Sequence, residues 1–169
     1  MSDNTFPTLQ ALADEEKSLV FKSFTAESAW TLGCILREMA LPSTKPVAIR
    51  IIHANGQILF STFTRTGTVT DSETWLARKA ASVFRWGISS LHLGSKLRAA
   101  GHKGALVSEV MVADDEKYAC HGGGFPIKVD GVEGVVAVVI VSGLAQLEDH
   151  MIVVDGIKKY LKEVENKAL

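Results

Sequence analysis

The stretch GVVAVVIVSG, residues 134–143, constrains this chain more than any other. No polar residue falls between Gly134 and Ser142, and β-branched side chains dominate. Successive side chains of a strand point to opposite faces, so a run that is apolar at every position reads as a central strand covered on both sides. The sheet that holds it needs a layer on each face.

The remaining periodicities supply those layers. Residues 8–22 read as a helix, with Leu9, Leu12, Leu19 and Val20 on an apolar side and the acidic residues 14–16 opposite. A second helix runs from an N-cap at Thr25 through Ala29, Leu32, Gly33, Leu36, Met39 and Ala40 until Pro42 stops it. PVAIRIIHANGQILFSTF sets two β-rich runs around Asn55-Gly56, the signature of a tight hairpin. Thr70 and Glu73 are spaced as a capping box, which starts a third helix near Asp71. On it, Trp75, Lys79, Ser82 and Trp86 share one face. ISSLHLGSKLRAAG continues as helix to Gly101. KYACH, FPIKV and the apolar run read as three strands, the last two turning at Asp130-Gly131, and from Leu147 a closing helix carries Met151, Val154, Leu161 and Val164. Clustered antiparallel strands with helices on the faces make an α+β sandwich around one sheet.

At 169 residues the chain fits a single domain. Lys and Arg number 18 against 19 Asp and Glu, so no basic field exists to attract nucleic acid or an anionic membrane. No apolar run reaches the length of a membrane span, and MSDNTFPTLQALADEE lacks the pattern of a secretory signal. Cys34 and Cys120 match no C-x-x-C pattern and read as buried thiols. A cytoplasmic, reducing location is the expectation.

CHGGGFPIKV places Gly122, Gly123 and Gly124 against a strand, where glycine packs nothing and loses the most entropy. Two reasons are available: a sharp bend or close backbone approach, and a concave row of N–H groups for an anion or carbonyl oxygen. HGGG also occurs in the oxyanion loops of some esterases, but the G-x-S-x-G elbow they require is absent, since GISSL and VSGL each lack a glycine. No G-x-x-x-x-G-K-[ST] phosphate loop is present. The five histidines, His53, His92, His102, His121 and His150, show no spacing that puts two on one helix face, so no metal site is expected. In LEDH, Glu148 and Asp149 suit the positive end of a helix, whereas His150 is an acid–base or ligand candidate. Neighbours on a helix point about 100° apart, so Asp149 need not orient His150. In WLARK the plain expectation is an amphipathic helix with solvated cations; if the helix instead covers a pocket, Arg78 or Lys79 suits a ligand carboxylate.

Taken together, TWLARKAASV, HGGGFPIKVDGVEGVVAVVIVSGL and EDHMIVVDGI resemble the haem-degrading-domain family of GlcG-like and HbpS-like proteins, closest to its cytosolic branch. The resemblance spans the chain from about Thr25, so residues 1–24 read as an N-terminal helical extension of one domain, 1–169. It implies a profilin-like or PAS-like α-β-α sandwich with a five-stranded antiparallel sheet, assembled as a homo-oligomer. It also implies that Gly122, Gly123 and Gly124 bend the chain into Phe125-Pro126 beside Ser142 and Gly143, leaving a pocket or subunit contact there. The ligand set is then Trp75, Arg78, Lys79, the three glycines, Phe125, Ser142 and Gly143. Haem is the cofactor the resemblance names, with His121 and His150 as candidate axial imidazoles. Where this helix reads WLARK, the haem-associated branch tends to carry Lys-Ala-x-Thr-Ala.

Three readings follow. In the first, the chain is an oligomeric binding module for haem or another anionic or planar small molecule. The second is a metal-independent enzyme using His150, Asp149 and His121 on a small carboxylate-bearing substrate. The third is an oligomeric scaffold or chaperone-associated protein.

Overall fold

The computed structural model describes residues 5–104 and 106–165. Thr8 opens α1 (Leu9–Ser18), its hydroxyl accepting from the Ala11 N–H at 3.1 Å. The helix ends before residue 22 because Val20–Phe21 peel off as β1 and pair in parallel with Lys128 and Val129. Fully buried Phe21 gains more in the core than it would on an exposed helix end. Thr25 caps α2 (Ala26–Ala40) in a reciprocal box with Ser28. β2 (Ala48–His53) and β3 (Ile58–Phe63) form the expected hairpin, with Gly56 at φ +88°.

α3 (Asp71–Trp86) starts where expected, but Thr70 makes no capping bond. Glu73 instead takes both terminal nitrogens of Arg50 on β2, at 2.7 and 2.8 Å. A two-pronged charged pair outcompetes a neutral cap for the same carboxylate. α4 (Ser90–Ala99) follows, then a single 3-10 turn over Val107–Glu109. KYACH is not a strand: the Ala119 N–H bonds Ser82 Oγ at 2.9 Å, so α3 rather than a sheet edge satisfies this backbone. β4 (Gly124–Val129), β5 (Ala137–Ser142) and α5 (Gln146–Tyr160) complete the chain, with a wider π-type turn over Leu161–Glu165.

The sheet runs β1-β4-β5-β2-β3, which puts the apolar run of β5 in the middle. Its other pairings are antiparallel, but β1 makes it a mixed sheet rather than an all-antiparallel one. Ala137, Val139 and Val141 face Leu32, Leu36, Val153 and Ile157 of α2 and α5. Val138 and Ile140 face Leu76, Ala80 and Val83 of α3. Burying each such valine or isoleucine contributes about 1.5–3 kcal/mol. The result is an α-β-α sandwich. α1 is fastened to it by adjacent glutamates: Glu15 meets His150 Nε2 at 2.9 Å, and Glu16 meets His92 Nδ1 at 3.1 Å and the Ser89 N–H at 2.8 Å.

Candidate functional site

The three glycines stand where β4 enters the sheet, and each is crowded. A Cβ at Gly122 would lie 2.1 Å from Gln146 O; at Gly123, 2.2 Å from Val141 O and 2.8 Å from Lys79 Nζ; at Gly124, 3.0 Å from Val83 Cγ2. Gly123 also has φ +116°. Close backbone approach is therefore the reason that holds. The approach has a consequence for chemistry. Val141 donates to Gly123 O at 2.8 Å, while its own carbonyl accepts from Lys79 Nζ at 3.0 Å.

Through this gap Lys79, on one helical layer, reaches Asp149 on the other, with Nζ 3.0 Å from Oδ2. Both side chains are 3% exposed, which overturns the expectation of solvated cations along WLARK for this residue. Burial pushes the Lys79 pKa down and the Asp149 pKa up, and each partner's charge opposes the shift of the other. Asp149 also accepts from the Leu144 N–H at 3.0 Å and the Gly143 N–H at 3.4 Å. Glu148 accepts from the Ala145 N–H at 3.0 Å, so both acids serve the start of α5.

A cleft of about 380 Å³ opens over this pair. Trp75, Lys79, His121, Ser142, Gly143, Leu144, Gln146 and Asp149 line it. Trp75 is anchored by its indole N–H, which donates to Asp71 Oδ2 at 3.0 Å. The His121 ring stands edge-on to the indole at 5.1 Å, and the Arg78 guanidinium lies over the indole at 4.7 Å. His121 Nδ1 is buried without a hydrogen-bond partner. Burial first, then the charges of Lys79, Arg78 and Arg98, push the His121 pKa below the ordinary imidazole value, which favours the neutral ring.

The structure thus brings together Trp75, Lys79, His121, Ser142, Gly143 and Asp149 and leaves the other candidates outside the cleft lining. His150 is 1% exposed, its Nε2 is held by Glu15 and its ring lies 6.0 Å from Phe125. The turn of helix that aims Asp149 at the cleft sends His150 beneath α1. Phe125 is core. Arg78 donates to Tyr118 O at 3.3 Å, and of the three glycines Gly123 backs the ion pair. Among the described residues no cluster of three or more His, Cys, Asp or Glu could hold a metal ion, and no helix is long and apolar enough to cross a membrane. Leu144 and Gln146 were missed. Gln146 Oε1 accepts from the Gly122 N–H at 3.4 Å, a contact whose only trace in the sequence is its place between V-S-G and the last helix.

Comparison with known proteins gives consistent matches. The family model described as haem degrading protein HbpS-like matches residues 24–158. A UPF0303 protein of Streptomyces coelicolor is 44% identical over 159 residues, covering 94% of this chain and 97% of that one. Another from Psychromonas ingrahamii is 38% identical, covering 94% and 96%. The crystal structure of the Ybr137w protein superposes with a TM-score of 0.86 at 34% identity, over 96% of this chain and 91% of that one. The structure of a PduOC:heme complex shares the fold, with a TM-score of 0.63 at 20% identity over 80% and 94%.

Proposed function

Since the chain belongs to the HbpS-like haem-degrading family, we propose that it binds a small planar ligand in the cleft between Trp75, His121 and Lys79, with haem the first ligand to test. The observation that carries this reading is His121: an imidazole standing edge-on to a tryptophan at 5.1 Å, both lining a pocket of ligand size. These residues fit a haem. His121 would offer the imidazole for its iron and Trp75 a flat surface for its ring, and the bound group would supply the redox chemistry. His150 does not fit that role, because Glu15 and α1 enclose it. The fold shared with the PduOC:heme complex supports the same reading.

Self-association belongs to the proposal as well. β3 is a sheet edge without a charged residue, and Trp30 beside it is 65% exposed, features that a lone protein usually blunts.

A second reading, acid–base catalysis, is favoured by one observation: a buried lysine–aspartate pair with burial-shifted protonation opens onto the same cleft. In that case His121 and Asp149, not His150, are the groups in reach of a substrate.

The test is a titration with hemin, read at the Soret band and by native mass spectrometry. One hemin per subunit is expected, with His121→Ala weakening binding about tenfold or more, the usual effect of losing a metal-orienting group. Hemin affinity unchanged in His121→Ala refutes the assignment of His121. Absence of saturable binding in the wild type refutes haem.

A further inference from the structure

The cleft already contains an anion. Asp149 accepts from Lys79 Nζ, from the Leu144 N–H and from the Gly143 N–H, the donors at the mouth of α5 that would otherwise attract a ligand carboxylate or phosphate. Whether the shared proton sits on Nζ or on Oδ2, the pair is neutral as a unit. An ammonium has three N–H donors, and Val141 O and Asp149 Oδ2 take two of the three on Lys79. The third is left for the cleft that Lys79 lines. Gln146 uses its carbonyl oxygen on the Gly122 N–H, which turns its amide NH₂ the other way. The free polar capacity on these two residues is therefore donor capacity, with the Lys79 charge matched by Asp149; the neighbouring Arg78 guanidinium lies over the Trp75 indole and donates to Tyr118 O.

We propose that, among planar ligands, this cleft prefers a ring bearing an uncharged acceptor oxygen, of carbonyl or amide type, over the same ring bearing a carboxylate, and that Asp149 sets the preference. The inference rests on the cleft being a ligand site but not on haem as its ligand. It departs from the expectation that Arg78 or Lys79 suits a ligand carboxylate. The ring lies against Trp75, and its oxygen takes the third Lys79 proton and the Gln146 amide. A carboxylate in that position would find the Lys79 charge already matched by Asp149, so nothing in the pair would compensate its loss of water. A haem in this cleft would have to leave its propionates outside it.

Benzamide and benzoate, which share a ring and differ in charge, test this by NMR titration of the full chain, read at the Trp75 indole N–H. The wild type is expected to bind benzamide more than ~10-fold tighter than benzoate. Asp149→Asn leaves Lys79 without its counter-charge and is expected to reverse the order. Equal or tighter benzoate binding by the wild type overturns the proposal, as does an unchanged order in a folded Asp149→Asn chain. If that variant does not fold, the wild-type ranking decides alone. Hemin binding without any response to benzamide removes this inference and leaves the haem reading. Benzamide preference without hemin binding does the reverse.

Discussion

Gly123→Ala tests whether the glycine bend exists to let the two helical layers join. Its φ of +116° lies where an L-residue is strained by about 1–3 kcal/mol. The new Cβ would also stand 2.2 Å from Val141 O, so that carbonyl must move. Moving it breaks the bond it accepts from Lys79 Nζ, a bond to a charged group worth about 1.5–3 kcal/mol. The two effects together come to roughly 2.5–6 kcal/mol, a large share of the 5–15 kcal/mol typical of a domain. A drop in melting temperature of about 5–24 °C follows for a chain of this size. Gly131→Ala is the control. It has φ +73° and nothing within 4 Å of a Cβ, so only backbone strain of about 1–2 kcal/mol applies. Urea denaturation of both variants gives the difference directly. If Gly123→Ala loses no more stability than Gly131→Ala, the clash with Val141 is relieved cheaply and the argument is wrong.

Lys79→Met and Asp149→Leu should each cost about 3–5 kcal/mol, since each leaves a buried charge alone. The double variant should recover most of that loss, and a double-mutant cycle in urea would show additive losses if the two side chains do not act as a unit. For His121, whose folded pKa lies below 6.5, the unfolded chain binds the proton first as pH falls. Stability therefore drops as pH falls through 6.5, until the folded ring also protonates; His121→Gln should flatten the curve between pH 7 and 5, and an unaltered slope would clear His121 of the effect.

The sheet and its layers were legible because β5 has to be covered twice and the helices carry their own period. Misreadings fell where tertiary contacts overrode local pattern. Residues 20 and 21 continue a helical periodicity yet pair with β4, since Phe21 gains a core site there. KYACH has strand composition but bonds to α3, and Glu73 was drawn from the cap by Arg50, a partner 23 residues away. The cleft was legible in its parts, with WLARK, HGGG and V-S-G all singled out from the sequence. Their junction was not, because residues 79 and 149 lie on opposite layers and no periodicity links them. Adjacent acid and histidine in LEDH suggested one site, whereas helical geometry divides them between cleft and core.

That junction bears on whether the pair is there for stability. A buried ion pair is seldom more stabilising than apolar side chains of the same shape, because desolvating two charges offsets most of their attraction. As a brace between layers, a methionine against a leucine would serve as well. Two features go beyond bracing: the pair opens onto a cleft rather than being sealed in the core, and it takes the backbone donors that would otherwise bind an anion. A brace predicts that the Met/Leu double variant keeps both stability and ligand selection. Recovery of stability together with loss of the benzamide preference would separate the two roles and place this ion pair in recognition.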